Sequence, residues 1–191
     1  MQKNIITTIL GNQIYSDFRK NNLLQKIQVI CPQITNLTSA YLHICESQEN
    51  LTSDEIHRLN QLLDYGASSG IKKNSDNLIF ISPRVGTISP WSSRATDIAL
   101  HCGIQLNRIE RCSIICLHTE KKLSKEIKRS IGNILFDRMT ESLFFDEKST
   151  HQLFTHQNPR KLEYVDFLKK GIQAISDFSE QCGLALSEDE I

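Results

Sequence analysis

Residues 78–116, LIFISPRVGTISPWSSRATDIALHCGIQLNRIERCSIIC, order the elements of the fold and set its period. Leu78 to Ile81 is a short apolar, β-branched run and reads as a strand. A turn-rich segment follows, then a helix from Ser93 to Cys102 that Gly103 stops, then a strand from Arg108 to Cys116. Downstream, Ser124 is placed to cap a helix that starts at Lys125 and runs toward Met139. Upstream, the same order is already present. Ile5 to Leu10 reads as a strand, and Ser16 to Val29 as a helix ended by Pro32. A strand spans Leu37 to Cys45, and a helix from Asp54 to Leu63 is capped by Ser53. The halves align at a constant offset of 71 residues. Thr8-Ile9-Leu10 then falls on Ile79-Phe80-Ile81, Ile44-Cys45 on Ile115-Cys116, and Ser53, Glu55, Ile56 and Arg58 on Ser124, Glu126, Ile127 and Arg129.

The expected fold class is therefore α/β (α+β): two duplicated β-α-β-α units forming a pseudo-dimer over residues 1–145, each offering a sheet face to two helices. Residues 146–191 form a second region. Asp146 to Arg160 reads as a polar linker over the surface, with His151 and His156 solvated. Val165 to Cys182 reads as one amphipathic helix with Phe167, Leu168, Ile172, Ile175 and Phe178 on one side and Gly183 at its end.

Composition narrows the function. Lys plus Arg and Asp plus Glu both number 22, so no broad positive field exists to hold nucleic acid. The basic residues of 121–129 are interleaved with Glu126 and suit a solvated helix face. No window approaches the run of ~20 apolar residues that spans a bilayer, and no secretory signal opens the chain. Six scattered cysteines without a C-x-x-C pair suit reduced thiols. A cytoplasmic protein is expected, with no membrane or nucleic-acid partner.

The chemistry concentrates in Ser82 to Ile98, SPRVGTISPWSSRATDI. Pro83 and Pro90 fix φ, Gly86 supplies a positive φ, and Ser92 or Ser93 caps the helix. Thr87, Ser89, Ser92, Ser93 and Thr96 crowd hydroxyls around Arg84, Arg94 and the only tryptophan, Trp91. Two readings stay open: a helix amino terminus whose free N–H donors meet an anion or a partner's carboxylate, or an ordinary capped helix with a tryptophan packed beneath its loop. Asp97, Arg108, Glu110 and Arg111 are expected to form an ion-pair network joining helix to strand. Cys112, Ile114 and Cys116 share one strand face, with His118 on the same parity, and read as a half-buried face more than as metal ligands. Cys102 and Cys182 sit at helix ends, without the strand-to-helix elbow of a catalytic thiol. No catalytic, cofactor-binding or metal residue is assigned.

SPRVGTISPWSSRATDIALHCGI followed by NRIER resembles the amino-terminal domain of the large phosphoribosylformylglycinamidine synthases. SAYLH around Tyr41, LLDYG at 62–66, FDRMTESLF at 136–144 and GLALSEDEI at 183–191 agree in order, so the likeness spans nearly the whole chain. It departs at Cys112, where the family usually has glycine. The resemblance implies an ATP- and magnesium-dependent amidotransferase that makes formylglycinamidine ribonucleotide with ammonia from glutamine. It implies that this portion is a fused dimer of the split enzyme's small subunit, followed by the start of a helical linker. Such a portion would bind no cofactor and would scaffold the synthetase and glutaminase domains and the ammonia path between them. A free-standing interaction module of a split complex and an anion sensor at Ser89 to Thr96 are the alternatives.

Overall fold

The structure, a computed structural model, describes residues 4–71, 75–155 and 161–191. The chain divides into two compact units, Met1–His156 and Gln157–Ile191. The first unit runs β1 (Ile5–Gln13), α1 (Asp17–Ile30), β2 (Asn36–Ser47), α2 (Ser53–Leu62), β3 (Leu78–Pro83), α3 (Pro90–His101), β4 (Arg108–His118), α4 (Lys125–Leu135) and β5 (Glu141–Phe144), then a 3-10 helix, Lys148–Phe154. The strands form one antiparallel sheet in the order β1-β2-β4-β3-β5.

Two pairings of the sheet fall at the offset of the sequence alignment. Thr8 pairs with Ile44, and 71 residues further on Ile79 pairs with Ile115. β2 and β4, the second strands of the two aligned halves of the first unit, join at the middle of the sheet from Asn36↔His118 to Glu46↔Arg108. That register runs unbroken through Leu42↔Cys112, so Cys112 sits in regular strand without a bulge.

The ladders around β2 and β4 pair residues of like parity, except at Gln13↔Ala40 beyond a register shift in β1, and the parity sorts the two faces. On one face, Leu37, Ile79, Ile115 and Leu117 pack under Ile27 of α1 and Ile131 of α4. Further along this face, Ile9, Cys45 and Ile109 pack under Leu59 of α2 and Ala99 of α3. The other face holds Leu42, Ile44, Phe80, Cys112, Ile114 and Cys116, covered by Ile71 and by Leu153 of the 3-10 helix. Each fully buried aliphatic or aromatic side chain here contributes about 1.5–3 kcal/mol.

The helix starts correct the sequence reading in two places. Thr52, not Ser53, caps α2, because Glu55 reaches back to the Thr52 N–H and closes a capping box. Ser89, not Ser92 or Ser93, caps α3, since Pro90 with its preset φ takes the first helical position. Ser16 and Ser124 cap α1 and α4 as read.

α4 stops at Leu135, short of Met139. Phe136 is extended, and the Asp137 carboxylate accepts from the Met139 N–H and the Thr140 hydroxyl, turning the chain into β5. Leu143 of β5 lies where a Cβ on Gly132 would clash, which brings α4 close to the sheet edge.

The expected surface linker is in part structural. The 3-10 helix buries Thr150 and Leu153 beside the sheet, because the apolar pair Leu153-Phe154 completes the second face. His151 is half-buried, while His156, Pro159 and Arg160 lie outside the described residues. The second unit contains α5 (Phe167–Lys170) and α6 (Ile172–Cys182) in place of one continuous helix. Gly171, with φ of 69° and ψ of −165°, breaks the expected run, and Gly183 ends α6 in the left-handed region at φ 65°. Among the described residues, no helix is long and apolar enough to cross a membrane.

Candidate interface at the motif loop

The loop following β3 has a specific backbone task. β3 leaves the ladder after Ile81↔Ser113, so the amino-terminal half of β4 needs other partners on that edge. The loop and α3 supply them. The Thr96 hydroxyl accepts the Ile109 N–H at 3.1 Å. The carboxylate of Glu110, fully buried, accepts the Ser89 N–H at 3.1 Å and the Ser89 hydroxyl at 2.8 Å. The same Ser89 oxygen accepts the Ser92 N–H at 3.0 Å and so caps α3.

Arg108 closes the arrangement. Its guanidinium pairs with Glu110 and donates to the Thr87 carbonyl at 2.7 Å, the Leu153 carbonyl at 3.1 Å and the Ser92 hydroxyl at 3.4 Å. It also lies 5.3 Å from the centre of the Phe154 ring. One side chain thereby ties the loop, the first turn of α3, β4 and the 3-10 helix together. Further up the loop, the Arg84 N–H donates to the Thr140 carbonyl at 2.9 Å and the Val85 N–H to the Ser142 hydroxyl at 3.2 Å. The Thr87 hydroxyl donates to the Arg84 carbonyl at 2.6 Å across Gly86, whose φ of 85° suits glycine. Of the two open readings, the geometry favours the internal one: the carboxylate that meets Ser89 is the chain's own Glu110.

The expected four-residue network is divided by strand alternation. Arg108 and Glu110 share one face, and Arg111 projects to the other. There its guanidinium lies 4.5 Å from the Tyr41 ring centre and 4.9 Å from that of Trp91. Asp97 is exposed on α3, and no ion pair of its carboxylate occurs among the described residues.

His43, opposite Arg111 in the ladder, joins this aromatic group. Its Nε2 lies 2.7 Å from the Tyr65 hydroxyl and its ring 5.6 Å from Trp91. Burial, and secondarily the Arg111 charge, push its pKa down to about 4, so it stays neutral at ordinary pH. Gly11 makes room for it, since a Cβ there would lie 2.6 Å from His43 Cε1. Tyr41, His43 and Tyr65 were not among the candidates from sequence. The signal was available: all three fall in the SAYLH and LLDYG pieces, and a histidine flanked by apolar strand residues needs a buried partner.

The outer surface of the motif carries Arg84, Thr87, Ser93, Arg94 and Asp97, all exposed. Between α2 and α3 a groove of about 290 Å³ is lined by Leu59, Leu62, Tyr65, Trp91, Arg94 and Ile98. The cysteines of the sheet are core groups. Burial pushes the Cys45 thiol up to about 12 and the Cys112 thiol upward as well, which disfavours the thiolate a nucleophile needs. Cys112 and Cys116 flank Ile114 on the second face, as their parity required.

Residues 40–154 match a family model described as formylglycinamide ribonucleotide amidotransferase N-terminal. The matched span begins in β2 and takes in the whole motif, both members of the Arg108–Glu110 pair and the 3-10 helix.

Proposed function

The chain belongs to the formylglycinamide ribonucleotide amidotransferase N-terminal family, and from that premise we propose that it is the non-catalytic scaffold of the enzyme. The family places it in purine biosynthesis, in the synthase that makes formylglycinamidine ribonucleotide. The finer role proposed is to hold a glutaminase against a synthetase and to bound the ammonia path between them. ATP and magnesium would then be held by the synthetase and not by this portion.

The supporting observation is how the motif uses its polar groups. Ser89, Ser92, Thr96, Arg108 and Glu110 bond to one another and to neighbouring backbone, which stiffens the loop. Arg84, Thr87, Ser93 and Arg94 remain on its outer surface, where a neighbouring domain can meet them. A stiff loop suits a docking surface, because a binding constellation must be held in its productive geometry. The repeated register at 71 residues supports descent from a duplicated small subunit. The separate cores of Met1–His156 also suit the second reading, a free-standing subunit that meets separately encoded partners.

Both readings expect the purified 191-residue chain, given glutamine or ATP with magnesium, to release neither glutamate nor ADP above the enzyme-free background. Turnover in the usual enzyme range of about 1–10³ s⁻¹ for either reaction would overturn the scaffold assignment.

A further inference from the structure

Arg108 and Arg111 stand three positions apart on β4 and have opposite fates. Arg108 is neutralised by Glu110. Arg111 has no ion-pair partner among the described residues, which include every Asp and Glu of the chain. It is half-buried, with Tyr41 and Trp91 against its guanidinium. The Tyr65 hydroxyl engages one edge of the guanidinium, and aromatic faces compensate such a cation only in part, so the donors not directed at Tyr65 can meet a further acceptor. Arg111 lines a cleft of about 290 Å³ together with residues 81–83, Tyr41, Ser113, Thr140 and Glu141.

We propose that this cleft binds a small-molecule monocarboxylate, with the Arg111 guanidinium as its anchor. The planar fork of an arginine matches the two oxygens of a carboxylate, and a partly desolvated site strengthens such charge-assisted bonds. Glu141 decides the charge of the ligand. Glu141 lines the same cleft, with its carboxylate accepting the Asp137 N–H at 2.8 Å, and its charge repels a doubly charged phosphate more than a singly charged carboxylate. The volume sets the size, at the small end of the range of about 300–1,000 Å³ usual for ligand pockets. The site lies on the opposite sheet face from the Glu110 staple and is independent of the scaffold reading.

Trp91 is the only tryptophan and touches Arg111, so its emission reports the site. The test titrates the whole chain with butyrate, with the neutral isostere butyramide and with inorganic phosphate, at ionic strength fixed with sodium chloride. Butyrate is expected to give a saturable change. Arg111→Met should weaken it about tenfold or more, the usual worth of a charge-assisted pair. Glu141→Gln should tighten it several-fold by removing the competing charge, and this variant carries the test if Arg111→Met does not fold. The proposal is overturned if butyrate gives no saturable change, if butyramide or phosphate acts as strongly, if Arg111→Met responds like the parent, or if Glu141→Gln binds no tighter.

Discussion

Replacing Arg108 with methionine is expected to lower the unfolding free energy by about 3–5 kcal/mol, the usual cost of leaving a buried charge without its partner. Glu110 is fully buried, and the side chain of Arg108 is only 16% exposed. Solvent therefore cannot replace the lost guanidinium. The same exchange also frees the carbonyls of Thr87 and Leu153, so the motif loop and the 3-10 helix should loosen together. Chemical denaturation measures the loss. The double variant Arg108→Met with Glu110→Leu should recover most of it, because a matched apolar pair removes both the charge and its burial penalty. A loss below about 1 kcal/mol in the single variant, the range of an exposed surface pair, would mean that the staple is not a buried pair at all.

The second large effect is a pH dependence assigned to one residue. The folded state holds the His43 pKa at about 4, below its ordinary 6.5. Below pH 6.5 the unfolded chain therefore takes up a proton that the folded chain refuses. The share of stability due to His43 is complete above pH 6.5 and is lost progressively as the pH falls toward about 4. A shift of this size corresponds to about 3 kcal/mol across the window. Glu55, Asp146 and Glu190 also have lowered pKa values, but their ordinary values of 4.5, 3.8 and 4.5 place their losses at lower pH. Between pH 6.5 and 5, His43→Gln should thus give a flatter stability curve than the parent. Coincident slopes would show that His43 is hydrated in the folded protein, against its burial beneath Trp91 and Tyr65.

Most of the sheet was legible because strand signals are local and periodic. Apolar β-branched runs at Ile5, Leu37, Leu78 and Arg108 to Cys116 marked four strands, and the offset of 71 carried into the pairing register. The fifth strand was not legible. Glu141–Phe144 is four residues long and pairs only because Asp137 turns the chain and Gly132 admits Leu143. The two displaced caps were readable in principle, from Glu55 three residues after Thr52 and from Pro90 next to Ser89. The break at Gly171 was hidden because apolar spacing continues on both sides of it.

For the site, the structure divides the ion-pair group that the sequence reading had joined. Alternation along β4 separates Arg111 from Arg108 and Glu110, the same parity that correctly placed Cys112, Ile114 and Cys116 together. The aromatic partners of Arg111 lie on β2, beyond α2 and at the start of α3, so their meeting is a property of the tertiary fold. No local pattern in the chain encodes it.

The scaffold role is tested most directly at Arg94, which is exposed beside the α2–α3 groove and outside the Arg108–Glu110 staple. In an enzyme carrying this domain with its synthetase and glutaminase, Arg94→Ala should leave ammonia-driven turnover near the parent value. Glutamine-driven turnover should fall about tenfold, the effect of removing one charged docking contact worth about 1.4 kcal/mol. Equal loss in both reactions would contradict the account and place Arg94 in folding or in the synthetase site.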